Sequence, residues 1–142
     1  MGLFSRKKKS GEIRSASKSM NWRVIPDSGN LSEMIASESV RAMENDKSPV
    51  LLFTSSFDDG SNAIRKFRDK MSDSYAGIYI VEISATGWDN NSLIEAGFKG
   101  VFPVFIKIDN EGKSTDQQLD GSAWGDDTLE NMQPVITQFL QN

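Results

Sequence analysis

The stretch of residues 49–62 constrains the fold more strongly than any other part of the chain. It opens with the apolar run Val50–Phe53 and continues into a polar turn over residues 54–61. The apolar positions after the turn recur at i, i+3 and i+7, as on one face of a helix: Ile64, Phe67 and Met71. This spacing predicts a helix over Asn62–Tyr75, which Gly77 ends. A short buried strand that leads through a turn into an amphipathic helix is the first half of a β-α-β unit.

Further strands extend this unit into a sheet. Ile78–Ile83 reads I-Y-I-V-E-I, which is typical of a strand that is covered on both faces and parallel to the first strand. Val101–Ile108 is the next predicted strand, and Pro103 within it indicates an edge, a bulge or a strand start. The turn sequence Asp109–Gly112 predicts a hairpin, so the strand Lys113–Leu119 should run antiparallel to its predecessor.

The remaining predicted elements lie at the ends of the chain and between the strands. Asn21–Ile25 has the alternation of a short edge strand, and residues 30–46 form a weakly amphipathic helix that begins with an Asn cap. A short helix is predicted over Ser92–Phe98. Proline lacks an amide and clashes one turn back, so Pro134 predicts that the regular part of the last helix begins near Asn131.

Net charge divides the chain into two parts. Residues 1–20 hold six basic residues and one acidic residue, which is a net charge of +5, and the whole chain has −4, so residues 21–142 carry −9. The first part is rich in Lys, Ser and Gly and is predicted to be a disordered basic tail. The second part is long enough for one domain. Its acidic character does not favour a nucleic-acid-binding surface.

The basic tail bears on membrane contact and localisation. Gly2–Phe4 followed by Arg6–Lys9 would suit an anionic membrane surface, although a solvated tail is the simpler interpretation. Arg6 breaks the myristoylation pattern, which needs Ser or Thr at that position. No apolar run is long enough to span a bilayer or to form a signal peptide, so we expect a cytoplasmic protein.

The chain contains no cysteine and no histidine. It therefore lacks thiolate nucleophiles, disulfides, sulfur ligands for metals and the commonest general base at neutral pH. The remaining carboxylates, hydroxyls and amines form no visible catalytic triad. We therefore expect a protein that is not an enzyme and that binds neither a cofactor nor a metal.

The order of predicted elements, β-α-β-α-β-α-β-β-α, resembles the thioredoxin family across residues 21–142. The resemblance rests on Phe53 before the turn, on Gly100–Val104 where the family has its cis proline, and on the Gly121–Ala123 turn before the last helix. It implies an α/β, thioredoxin-like fold, with a central mixed β-sheet flanked by helices and preceded by the tail. The family's Cys-x-x-Cys box is absent, because residues 58–61 read Asp-Asp-Gly-Ser.

The missing cysteines limit the chemistry that this resemblance allows. Disulfide exchange needs an attacking thiolate and a resolving thiol, which Asp58 and Ser61 cannot supply. Leu52 stands where thioredoxins bury an aspartate, as expected of a protein without redox chemistry. We interpret Asp58, Asp59 and Ser61, like Asp126–Asp127, as helix-capping residues, because a cation-binding pair would lack sufficient ligands.

The resemblance also places aromatic residues in loops at the carboxyl end of the sheet. A cis Pro103 would leave the backbone of Phe102 free to pair with an extended peptide, as thioredoxins pair with substrates. The alternative is that the rings cover the core. The candidate binding residues of this groove are Phe57, Asp58, Asp59, Ser61, Trp88, Phe102, Pro103 and Trp124.

We therefore expect a redox-inactive thioredoxin-fold protein that binds a protein or an extended peptide through the groove, as an adaptor or chaperone-like module. One alternative is a glutathione-type small molecule in the same groove. Another is a non-catalytic accessory role in a thiol–disulfide pathway. A glutathione site usually has a basic residue nearby, and only Lys99 is well placed for that.

Overall fold

The computed structural model describes residues 21–72 and 76–142. Its strands are β1 (Asn21–Val24), β2 (Ser48–Thr54), β3 (Ile78–Ser84), β4 (Val104–Ile108) and β5 (Ser114–Asp120). Its helices are α1 (Leu31–Glu44), α2 (Asp59–Lys66), α3 (Arg68–Ser72), α4 (Asn90–Glu95) and α5 (Leu129–Gln141), with a 3-10 turn at Ala85–Gly87. Within these ranges, no helix has both the length and the apolar character needed to cross a bilayer. The predicted tail of residues 1–20 and the predicted helix end at Tyr75 lie outside the described residues.

The strands of the described ranges form one five-stranded sheet in the order β1-β3-β2-β4-β5. β3 is parallel to β1 and β2, whereas β4 is antiparallel to β2 and β5. The predicted α/β class and mixed sheet are therefore confirmed. The register pairs Phe53 with Val104 and Val104 with Asp120. The carboxyl ends of β2 and β5 consequently lie beside the amino end of β4.

Alternate residues of the central strands face two separate hydrophobic clusters. Leu51 and Phe53 of β2 pack with apolar residues of α1 and α4 on one face of the sheet. Val50 and Leu52 pack with apolar residues of α2 and α5 on the other face. Only the first residue of β2 is exposed, as expected of a strand that is covered on both faces. Because both faces are covered, the loops at the sheet's ends are the accessible places for a binding site.

The helix after the central strand differs from its prediction. The Asp58 carboxylate accepts the backbone amide of Ser61 at 2.7 Å, and this cap starts α2 at Asp59 rather than at Asn62. The helical stretch also breaks at Phe67, so that α2 and α3 are separate helices. Neither glycine nor proline marks this break in the sequence.

The prediction for the last helix is wrong at its start. The Thr128 hydroxyl accepts the Asn131 amide at 3.2 Å, and α5 begins at Leu129 and contains Pro134. The amide that proline lacks would otherwise donate to the carbonyl of Glu130, one turn earlier. Both Pro134 and Glu130 are exposed, so water can satisfy that carbonyl and the helix continues.

Candidate functional site

The turn before α2 holds a compact set of hydrogen bonds. Asp58 Oδ2 accepts the Ser61 amide at 2.7 Å and the Ser61 hydroxyl at 2.9 Å. Ser61 Oγ in turn accepts the backbone amide of Ser55 at 3.0 Å. Ser61 is fully buried, so its hydroxyl cannot meet a molecule from solvent. Asp58 and Ser61, which the family resemblance sets at the positions of the cysteines, therefore fasten the turn to the helix.

Pro103 lies between two glycines that permit close approach of the backbone. The Phe102–Pro103 peptide bond is cis, and Pro103 is buried. A Cβ added to Gly60, in the first turn of α2, would lie 2.9 Å from Pro103 Cδ. A Cβ added to Gly121, after β5, would overlap the carbonyl oxygen of Phe102. Two elements that are distant in sequence thus hold the cis peptide from both sides.

The backbone around this peptide is only partly hydrogen-bonded. Val101 donates its amide to Asp120 Oδ2 at 3.2 Å and accepts the Gly121 amide at 2.8 Å. Within the described part of the chain, neither the amide nor the carbonyl of Phe102 makes a hydrogen bond. Both backbone groups of Phe102 therefore lack a hydrogen-bond partner among the described residues, and its carbonyl oxygen packs against Gly121 beside the end of the sheet.

Aromatic side chains around the cis peptide fall into two groups. The Phe102 ring stacks on Phe98, with centroids 4.7 Å apart, and Phe98 meets the buried Phe53 edge-on at 5.4 Å. Phe57 in contrast is 88% exposed. The Phe102 ring therefore anchors its own backbone to the core, whereas the Phe57 ring does not cover the core. Val101, which the sequence analysis missed, is 55% exposed. Phe57 after β2 and residues 101–103 before β4 lie in loops at the same end of the sheet, and we call the region of Phe57, Val101, Phe102 and Pro103 the Pro103 surface.

The two tryptophans do not line an open groove as expected. Trp124 is 5% exposed and packs in the cluster beneath α5, where its indole Nε1 donates to Asp127 Oδ1 at 2.9 Å. The expectation that Trp124 is a binding anchor is wrong, because its ring belongs to the core. Trp88 is half-buried against the other cluster. Its indole nitrogen is buried without a hydrogen-bond partner among the described residues.

Three carboxylates, those of Asp58, Asp120 and Asp127, lie close to the Pro103 surface. Asp58 Oδ2 and Asp127 Oδ1 both lie within 3.3 Å of the position that a Cβ on Gly60 would occupy. A hydrogen bond from the Ser122 hydroxyl, at 2.5 Å, lowers the pKa of Asp120, and the Ser122 and Val101 amides lower it further. We call these three aspartates, together with their sequence neighbours Asp59 and Asp126, the acidic rim. The rim makes the local field negative wherever these groups are ionised.

A buried ionic cluster beneath α2 was not predicted. Glu82 of β3 is 1% exposed and accepts Arg65 Nε and Arg68 Nη2, both at 3.1 Å. It also accepts the Thr54 hydroxyl at 3.0 Å and the Trp22 indole nitrogen at 2.8 Å. The cluster ties α2 and α3 to three strands, and so holds the helix that carries the site turn. The signal in the sequence was one glutamate in an otherwise apolar strand.

Comparison with known proteins yields structural matches only. No family model matches the chain, and no curated protein matches it significantly. A thioredoxin h from poplar superposes with a TM-score of 0.56 at 16% identity, covering 86% of this chain and 98% of that chain. A thioredoxin from Schistosoma mansoni gives 0.55 at 15% identity, covering 84% and 98%. The thioredoxin of Malassezia sympodialis gives 0.53 at 18% identity, covering 87% and 94%.

Identities this low establish the fold and nothing beyond it. The matches extend over nearly the full length of the thioredoxins, which agrees with the predicted resemblance. No residue of this chain can provide a thiol, because the sequence has no cysteine. The chain is a thioredoxin-fold protein that lacks the Cys-x-x-Cys box.

Proposed function

We propose that this protein binds an extended polypeptide segment at the Pro103 surface, without thiol chemistry. It would act as an adaptor or chaperone-like module and not as an enzyme. Peptides of many sequences could bind there, because the contacts would involve backbone groups and apolar side chains.

The observation that carries the proposal is the unpaired backbone of Phe102. An extended peptide recognises such a residue by exchanging amide and carbonyl hydrogen bonds with it, as in strand addition to a sheet edge. Val101 already uses both of its backbone groups, so the pairing would centre on one residue. The stacking of Phe102 on Phe98 holds the backbone groups in place before a partner arrives.

Apolar contacts would add to this pairing. Phe57 and Val101 are largely exposed, in loops at the same end of the sheet. Burying a Phe side chain fully stabilises a complex by about 1.5–3 kcal/mol. Aromatic side chains are also frequent among the residues that dominate binding at interfaces. Phe57 is therefore the side chain on which we expect binding to depend most.

A small anionic ligand of the glutathione type fits this surface less well. Such a ligand carries carboxylates, which the acidic rim would repel. Lys99 is exposed and shares a shallow surface depression with Asp120, so its charge is partly offset. We therefore retain the polypeptide partner as the proposed ligand.

Screening the full chain against an array of extended peptides tests the proposal. Phe57→Ala should weaken the peptides that bind best by about tenfold or more, with an unchanged melting temperature. Val40→Ala is the matched control, because Val40 is 51% exposed on α1, away from the site turn. If Phe57→Ala binds the peptides of the array as tightly as the wild type does, the proposal is refuted.

A further inference from the structure

We infer that the partner of the Pro103 surface is a basic peptide, with an apolar residue close to several lysines or arginines. This inference rests on the proposed function and specifies the chemistry of its partner. The apolar side chain of Phe57 and the unpaired backbone of Phe102 favour an extended peptide with an apolar residue. The acidic rim favours a peptide that is positively charged.

The rim surrounds the binding surface closely. Asp58 and Asp127 approach Gly60, which contacts Pro103 on one side. Asp120 binds the amide of Val101 on the other side. An extended peptide paired with Phe102 would therefore have carboxylates on both sides of its path. Side chains of an extended peptide alternate in direction, so an apolar residue can meet Phe57 while its neighbours reach the rim.

Among the described residues the rim carboxylates form no ion pair, although Lys99 shares a surface depression with Asp120. In the described ranges, no Lys or Arg nitrogen lies within 4.0 Å of a rim carboxylate. The described arginines that form ion pairs are engaged elsewhere, with Glu38 and Glu82. The side chains of Asp59 and Asp126 also accept no hydrogen bond from the described residues. A basic partner can therefore pair with these two carboxylates without displacing a hydrogen bond from the described residues.

Three synthetic peptides distinguish the inference from the proposed function. Each carries a Leu-Phe pair followed by four lysines, four serines or four glutamates, and binding to the full chain is measured by fluorescence anisotropy. The lysine peptide should bind about tenfold more tightly than the serine peptide, and the glutamate peptide should bind most weakly. Raising the salt from about 0.05 M to about 0.5 M should remove most of the difference, because it screens exposed charges.

A pair of matched variants tests whether the rim, and not net charge, attracts the lysines. Asp59→Asn combined with Asp126→Asn should weaken the lysine peptide by about fivefold and leave the serine peptide unchanged. Glu44→Gln combined with Asp116→Asn makes the same change in net charge on exposed residues of α1 and β5. This control should leave all three affinities unchanged.

The possible outcomes separate the two proposals. Equal binding of the lysine and glutamate peptides would overturn the basic-partner inference and leave the polypeptide-binding proposal intact. An equal loss in the control variant would also overturn it, because net charge would then explain the preference. Failure of all three peptides, and of the peptide array, would overturn the proposed function itself.

Discussion

Asp58 Oδ2 and Ser61 Oγ lie 2.9 Å apart, joined by a hydrogen bond at the amino end of α2. Residues at i and i+3 of a first helical turn meet on one face, and thioredoxins place their two cysteines with this same spacing. Asp58 and Ser61 thus have the spacing of a Cys-x-x-Cys pair, with oxygen atoms in place of sulfur atoms.

Restoring sulfur at both positions should therefore restore thiol chemistry. We expect Asp58→Cys combined with Ser61→Cys to reduce insulin disulfides at a measurable rate, because a thiolate at a helix amino end is stabilised by the helix dipole. The wild type and the single variant Asp58→Cys should match the rate without protein, since a lone thiol cannot resolve the mixed disulfide. An inactive double variant with an unchanged circular dichroism spectrum would show that the match of residues 58–61 to the family box is wrong.

The burial of Trp124 gives a second prediction. Trp124→Ala should lower the free energy of unfolding by about 3–5 kcal/mol, because it removes a large ring from the core and leaves Asp127 without its indole donor. Trp88→Ala should have a smaller effect, since Trp88 is only half-buried. Urea denaturation of both variants measures the difference. If Trp124→Ala lowers the free energy of unfolding by less than about 1 kcal/mol, the ring does not belong to the core and is again a candidate for the binding surface.

The sequence was sufficient for the parts of the fold that depend on repeating patterns. The apolar runs of β2 and β3 identified strands covered on both faces, and the hairpin turn at residues 109–112 identified the antiparallel pair. The pattern of residues 49–62 also placed the site turn between a strand and a helix. These features are local, since each depends on neighbours within a few residues.

The exposure of loop side chains could not be predicted in the same way. Phe57 and Trp124 both lie in polar loops, yet one is 88% exposed and the other 5% exposed. The difference arises because Trp124 meets α5 and the sheet, which are contacts between distant parts of the chain. Loop residues have no periodicity that reports such contacts. Sequence alone therefore does not distinguish the exposed Phe57 from the buried Trp124.

Glu82 illustrates the same limit for a charged residue. It lies opposite the fully buried Leu52 in the paired strands, so a carboxylate is buried beside an apolar side chain of the neighbouring strand. Burying an unpaired carboxylate is strongly unfavourable, and Arg65 and Arg68 offset that penalty. The helix positions of these arginines gave no sign that both reach the same residue.

Glu82→Gln should consequently destabilise the fold. We expect the free energy of unfolding to fall by about 2 kcal/mol, which is less than for a wholly buried pair because Arg65 and Arg68 are 29% and 34% exposed. The exposed Glu44→Gln is the matched control and should change stability by no more than about 0.5 kcal/mol. Equal urea midpoints for the two variants would mean that the arginines keep their positions without the charge of Glu82.

A second buried carboxylate, on the opposite face of the sheet, affects the tyrosine beside it. The Tyr79 hydroxyl donates to Glu38 Oε1 at 2.6 Å, and Tyr79 is 3% exposed. Burial, together with the hydrogen bond to Glu38 and its negative charge, raises the pKa of Tyr79 from 10.0 to about 12. The folded state therefore retains this proton at pH values at which the unfolded state has released it.

This pKa shift predicts a loss of stability in alkali. Because the folded pKa is the higher one, the contribution of Tyr79 is fully present below pH about 10 and is lost as the pH rises to about 12. The loss should amount to about 3 kcal/mol, because one pKa unit corresponds to ~1.4 kcal/mol. Tyr79→Phe has no proton to release, so the difference in unfolding free energy between the wild type and this variant should be constant up to pH about 9 and should decrease above pH about 10. Lysines titrate in both proteins and cancel in the comparison. Parallel pH curves for the two proteins would show that Tyr79 titrates alike in the folded and unfolded states.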